Sequence, residues 1–185
     1  MAGESLFDAG DRAAEERVAP LALAELFARC GTDFDLSLDL KGPGTAERTV
    51  EVACSAGFDL GRLWLCGPDG ASAPWRGIDP RVRLVTDLRW GDALLRPHLT
   101  LPALGEQGFD AVNLRHGRWT SSLVRQAHEA GLRAFAWGVQ HAWTLRWAVS
   151  HGVDAVYSDH LRLLIDGLDG LDGLDAPTRP SADGR

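Results

Sequence analysis

Polar and apolar residues alternate strictly over 35–41, Asp-Leu-Ser-Leu-Asp-Leu-Lys, which predicts a β-strand. Leu36, Leu38 and Leu40 share one face; Asp35, Ser37, Asp39 and Lys41 share the other. On a two-layer sheet this is an edge strand with a wet face. In a parallel barrel the leucines face surrounding helices and the polar set points inward, with Asp39 and Lys41 at the C-terminal rim. Further strand-like runs cover 62–66, 82–85, 110–114, 133–139 and 155–157. Asn113 falls on the side of its strand opposite Val112 and Leu114.

Helical spacing fills the gaps between these runs. Leu21, Leu23, Leu26 and Phe27 make an apolar face up to Arg29, with Pro20 able to start the helix and Gly31 to stop it. Gly42-Pro43-Gly44 is a turn, either a tight connection or an anion-binding loop, and Thr45 is the expected N-cap of a helix running to Gly57. Residues 67–77 show no helical period, so a helix there is short or missing. The stretch 92–107 is helical in parts and broken at Pro97 and Pro102. Thr120 caps a helix carrying Leu123, Val124 and Ala127 and ended by Gly131. Residues 140–150 carry Ala142, Leu145, Ala148 and Val149, and His151-Gly152 ends them. A strand–helix–strand unit of this length joins parallel neighbours by a right-handed crossover. Six such strands predict an α/β fold, an incomplete (β/α)8 TIM barrel with about six parallel strands. The complete barrel takes about 250 residues. Residues 1–165 form the expected domain. Residues 160–165 read as a last short helix, and the Asp-Gly-Leu repeats of 166–185 as a mobile tail.

Composition narrows the function classes. The 185 residues are 45% hydrophobic and 24% charged, with net charge −7 and no Lys/Arg run, which argues against nucleic acid as a partner. No apolar run approaches the roughly 18 residues of a membrane span. The first stretch is too charged and alanine-rich for a signal peptide, so a cytoplasmic location is expected. Cys30, Cys54 and Cys66 lack metal-ligand spacing and read as small buried hydrophobes in a reducing compartment. Trp143 and Trp147, four apart on a helix, read as packing against the barrel, and Asp159 as a helix N-cap. His116, His128, His141 and His151 are assigned no chemistry.

Several stretches, in register, resemble the glycerophosphodiester phosphodiesterase family. LSLDLK at 36–41 is similar to its Glu-x-Lys strand, and Ala130-Gly131-Leu132 with FAWGVQ at 135–140 to its strand ending Trp-Thr-Val-Asn. HGVDAVYSDH at 151–160 is similar to its closing Gly-x-Asp strand ending Thr-Asp-x-Pro. VAPLALAELFARC at 18–30 and SLFDAG at 5–10 resemble the segments that precede the Glu-x-Lys strand. The resemblance implies a TIM barrel that hydrolyses glycerophosphodiesters to glycerol 3-phosphate and an alcohol with a divalent metal. It implies Asp39 as a metal ligand, Lys41 as the catalytic cation against phosphate, and Trp137 as a substrate-pocket wall, although Trp137 also reads as a core aromatic.

Departures from the pattern shape the expectation. The family's His-Arg-Gly strand, its Glu-x-Asp and its second histidine have no counterpart here. Asp39 stands for its Glu, Gly138 for Thr and Gln140 for Asn. One carboxylate holds Mg²⁺ or Ca²⁺ weakly if at all. Three readings stay open: an enzyme whose activity needs a longer N-terminus and which is inactive as residues 1–185, a catalytically dead binding or interaction domain, and an unrelated α/β protein. The expected partner is a small-molecule glycerophosphodiester. An open sheet with strands 35–41 and 154–158 as free edges is also expected to invite self-association.

Overall fold

The computed structural model describes residues 21–68, 71–88 and 97–169. All six expected strands are there. They are β1 (Leu36–Asp39), β2 (Leu63–Pro68), β3 (Arg83–Asp87), β4 (Ala111–Arg115), β5 (Arg133–Trp137) and β6 (Ala155–Val156), all parallel, in the spatial order of the sequence. The helices are α1 (Leu23–Cys30), α2 (Thr45–Ser55), α3 (Leu101–Glu106), α4 (Ser121–Glu129), α5 (Ala142–Ser150) and α6 (Leu161–Asp169). The sheet is a curled half-barrel, an incomplete TIM barrel. Among the described residues β1 and β6 pair with no strand on their outer sides.

Period-two alternation assigns each strand residue to one of two faces. Outward, Leu38, Leu63, Leu65, Leu84, Val112, Leu114 and Ala134 pack with Phe27, Val50, Leu104, Val124 and Leu145 of the surrounding elements. Inward, Trp64, Cys66, Val85, Ala111 and Phe135 form a second cluster against Ala155 and Tyr157. The curl is tight enough for β2 and β5 to touch across the concave face: the Trp64 and Phe135 rings lie 5.2 Å apart, and Phe135 and Tyr157 6.1 Å apart. The two edges also meet through side chains. Ser37 Oγ on β1 lies 2.8 Å from the hydroxyl of Tyr157, 120 residues away and just beyond β6.

A repeated entry motif sets the strands. Gly57-Phe58-Asp59, Gly108-Phe109-Asp110 and Gly152-Val153-Asp154 each begin on a glycine with φ between 72° and 82°, where a side chain would be strained. In two of the three the aspartate pins the neighbouring strand by accepting a backbone N–H. Asp110 accepts from Leu84 N and Asp154 from Ala134 N, each at 2.8 Å. Asp110 also pairs with Arg76 (2.5 Å) and Arg83 (2.9 Å), and Asp154 lies 2.8 Å from His128 Nε2.

Several expectations are corrected. Gly44, with φ 72°, occupies the N-cap of α2, and Thr45 is its first residue, donating its hydroxyl to Gly42 O at 2.9 Å. Pro102 does not break a helix but sits in the first turn of α3, where a missing N–H costs nothing. Helix α6 continues past Ile165 to Asp169. Cys30 and Cys54 are exposed and only Cys66 is buried, because the first two fall on helix positions turned away from the core. Trp147 packs on the core and stacks on His151 at 4.3 Å, whereas Trp143 is 60% exposed, one position off the buried face of Thr144, Leu145 and Ala148. Among the described residues between β2 and β3 the one helical segment is a short 3₁₀ turn, Ala73–Gly77, as the missing helical period implies. Residues 1–20 and 170–185, including the 5–10 segment and most of the expected tail, lie outside the described residues. No helix among the described residues is long and apolar enough to cross a membrane.

Asp110→Ala strips the partner from two guanidiniums and one strand N–H, in a site where Arg76 is 29% and Asp110 19% exposed. Breaking a pair this buried is expected to cost about 3–5 kcal/mol in urea unfolding. Tyr157→Phe, which removes one hydrogen bond, should cost about 1 kcal/mol. Equal midpoints for wild type and Asp110→Ala would contradict the assigned role.

Candidate functional site

The inward positions change character along each strand. Near the N-terminal ends they are apolar and fill the space between β2, β5 and β6. At the C-terminal ends they are polar and line a hollow of about 400 Å³. Its walls are Ser37 and Asp39 from β1, Cys66 from β2, Asp87 from β3, Asn113 from β4, Trp137 from β5 and Tyr157 after β6. Each of β1 to β5 contributes one or two side chains, and strand ends at this face are where α/β barrels place their chemistry.

Two of the three residues expected from the sequence line this hollow. Asp39 does so from the last position of β1, and Trp137, 41% exposed, from the last position of β5. Lys41 lies past the strand end, outside the lining. Its Nζ sits 3.3 Å from Asp39 Oδ2, with both side chains well exposed. The pair is therefore a rim contact that solvent screens, and Lys41 can turn to another anion at little cost. Asp159 does not cap α6: its carboxylate accepts a hydrogen bond from Gln140 Nε2 at 2.6 Å, and Gln140 Oε1 in turn accepts from Ser158 Oγ and Asp159 N.

Other members of the site carried weaker signals. Asp87 falls just beyond the apolar run 82–85 and is assigned no role by the sequence, yet it is inward and in register with Asn113. Asn113 Nδ2 donates to Asp87 Oδ1 at 3.4 Å, while Asn113 Oδ1 is buried with no partner. Arg115 ends β4 in register with Trp137 and places its guanidinium 6.0 Å from the indole centre. His116 and His141 flank the exposed Trp143 at the same rim but do not line the hollow. Among the described residues no three His, Cys, Asp or Glu side chains come together as a metal group. A second hollow, about 440 Å³, lies on the helix-packed side between Leu88, Leu99, Pro102, Val112 and Leu123. Its lining among the described residues is mostly apolar.

The hollow carries a negative field. Burial first, then Asp87 and Asp39, push the Cys66 thiol from 9.0 up to about 12. Burial also raises the Tyr157 phenol, with the hydrogen bond to Ser37 working the other way and Cys66, Asp87 and Asp39 adding to the rise. Both groups keep their protons at neutral pH. Since the folded chain holds the thiol proton more tightly than the unfolded chain, this contribution to stability is intact below about pH 9 and lost as pH rises towards 12. Urea unfolding should show stability falling over that window, and less steeply in Cys66→Ala. Identical pH slopes would contradict the burial of this thiol beside two carboxylates.

No family model and no curated protein matches the sequence. Solved structures do. The chain is similar to a protein from Galdieria sulphuraria described as a glycerophosphodiester phosphodiesterase, with TM-score 0.66, 19% identity, and coverage of 80% of this chain and 63% of that one. It is similar to a glycerophosphoryl diester phosphodiesterase, so described, from Silicibacter pomeroyi DSS-3, with TM-score 0.62, 22% identity, and coverage of 78% and 56%. A phosphodiesterase from Oleispira antarctica, in complex with its product sn-glycerol-3-phosphate, matches with TM-score 0.55, 16% identity, and coverage of 73% and 55%. The chain thus spans 55–63% of the length of these three proteins. At these identities the likeness is one of fold: the chain has the barrel architecture of the glycerophosphodiester phosphodiesterases, in a curled six-stranded form.

Proposed function

We propose that the polar hollow binds a glycerophosphodiester, and that residues 1–185 carry part of the machinery for metal-dependent hydrolysis to glycerol 3-phosphate and an alcohol, without turning the diester over alone. The observation that carries this reading is the convergence of two distant segments. Asp39 and Trp137, from the two stretches that resemble the family's motifs, line one concave surface at the strand C-termini, with Lys41 beside Asp39.

In this reading Lys41 exchanges its exposed contact with Asp39 for the phosphate, supplying a compact cation with three donors. Trp137 walls the pocket, and Arg115 over its ring keeps a second cation at the mouth. The residues fit a divalent ion in one respect: the hollow's ionised ligands are all oxygen, and the buried carbonyl of Asn113 has no donor. Asp39, Asp87 and Asn113 would hold it. Such an ion supplies Lewis-acid polarisation of the phosphoryl oxygens.

Proton transfer is what the hollow lacks. Among the described residues its lining includes no histidine, and its thiol and phenol are both held protonated. That favours binding without turnover, and equally suits a catalytically inert binding domain. The partner is the small-molecule diester; the unpaired edges of β1 and β6 additionally offer self-association.

Titration calorimetry of residues 1–185 with glycerophosphocholine should show binding that weakens about tenfold or more in Lys41→Ala and Trp137→Ala. Release of glycerol 3-phosphate should stay at background with Mg²⁺ or Ca²⁺, since each absent acid–base group is worth about 10²–10⁴ in rate. Metal-dependent release that disappears in Asp39→Asn would overturn the no-turnover claim. Absence of any binding would overturn the site.

A further inference from the structure

We infer that the C-terminal rim over β4, β5 and β6 is a docking face for an anionic lipid surface, with Trp143 and Leu161 as its apolar insertions and Arg115, Arg118 and Arg162 as its cations. The inference goes beyond the reading of the hollow and does not rest on it.

The distribution of cations is the first observation. Up to Arg83, every described lysine and arginine forms an ion pair with an acidic side chain. Further along the pattern changes. Arg125 pairs with Glu129, and Arg133 lies over the Trp64 ring. Arg115, Arg118, Arg146 and Arg162 are exposed and form no ion pair with any described residue. The chain has 26 acidic residues against 19 basic ones, so the deficit of partners is local. A protein this acidic that leaves four guanidiniums unpaired in one region complements a negative charge from outside.

The fold brings these residues to one surface. Arg115 ends β4, and Arg118 ends the 3₁₀ turn that follows it. Trp143 is the second residue of α5, just after β5, and Arg146 is three positions on. Leu161 and Arg162 open α6, just after β6. β4, β5 and β6 are neighbours in the sheet, so the three connections lie side by side. Side chains join them: His116 meets Trp143 edge-on at 6.2 Å, and Gln140 donates to Asp159. That contact engages Asp159, and Asp166 stands a turn beyond Arg162 on α6.

The apolar groups at this rim select the partner. Trp143 is 60% and Leu161 69% exposed, and Trp137 opens onto the same rim. His141 stacks on Trp143 at 6.1 Å, which positions the indole without burying it. An indole left in water forgoes a large apolar burial. Helix α6 extends the patch. Leu163 and Leu164 pack on the core, while Ile165 and Leu168 follow Leu161 on the outward side at helical spacing and are exposed. Tryptophan and aliphatic side chains flanked by arginines suit the boundary between lipid headgroups and acyl chains. The aliphatic groups have no comparable use against the bases or phosphates of a nucleic acid.

The experiment is flotation of the whole chain with vesicles of phosphatidylcholine, alone or mixed with phosphatidylserine, with circular dichroism to confirm that each variant is folded. The chain should bind the mixed vesicles more tightly, and added salt should weaken that binding. Arg118→Gln and Arg162→Gln should each weaken it about fivefold, and Trp143→Ala and Leu161→Ser each about tenfold. Arg81→Gln, at the opposite end of the strands, should bind as wild type. None of the four rim residues lines the hollow, so glycerophosphocholine titrations of these variants should match wild type. Vesicle binding indifferent to phosphatidylserine or to all four substitutions would overturn the inference, as would binding of a single-stranded oligonucleotide in place of vesicles. If the diester binds and vesicles do not, the docking face is wrong and the hollow's reading stands. If vesicles bind as described and the diester does not, the docking face stands and that reading falls.

Discussion

The curl of the sheet is the constraint on which the remainder depends. Six parallel strands that lay nearly flat would leave Trp64 and Phe135 on separate parts of an exposed face. Here they touch, and Tyr157 reaches Ser37 on the opposite edge. The aromatic residues fill the N-terminal half of the concave side, so the inner face is a packed core below and a lined hollow above. Side chains thus substitute for part of the closure that a full barrel obtains from backbone hydrogen bonds. The outer face holds the curl from the other side, through leucines packed on the helices and through aspartates that tie one strand's entry to its neighbour's backbone.

The chemistry of the hollow follows from that geometry. Curling brings the strand ends of β1, β3, β4 and β5 within reach of one small ligand, and the inward alternation delivers Asp39, Asp87, Asn113 and Trp137 to it. Desolvation then acts unevenly. Cys66 and Tyr157, set deeper, are held neutral, while Lys41 at the rim stays accessible for exchange between partners. In the proposed reading Lys41 at the edge meets the negative charge of the diester. Among the described residues its lining carries no histidine to move a proton.

Much of this was legible in the chain. The alternation at 35–41 placed Ser37 and Asp39 on the concave side, and period-two runs located all six strands because each strand is short and bounded by glycine or a polar turn. What stayed hidden depends on contacts between distant segments. Asp87 went unassigned, because the visible apolar run of β3 stops at Val85 and the strand continues through the buried polar Thr86. Tyr157 gave no sign of reaching Ser37, since nothing local encodes a contact 120 residues away. The recurrent glycine–apolar–aspartate entry to the strands was a readable signal that periodicity overlooked. Cys30 and Cys54 were misplaced because residue type was allowed to outweigh position on the helix, and Trp143 because its spacing from Trp147 was taken to put both on the buried face.

The claim most exposed to test is that ligand enters the concave face at the C-terminal strand ends. The chain has seven tryptophans, each with an indole N–H visible in a ¹⁵N-correlated spectrum. Titration with sn-glycerol 3-phosphate should move the indole resonance of Trp137, identified by its loss in Trp137→Phe. It should leave that of Trp119 in place, because this indole is buried and bonded to Phe135 O at 2.8 Å. A spectrum in which Trp137 stays fixed while Trp75 or Trp147 shifts would put the ligand on another surface and contradict the account.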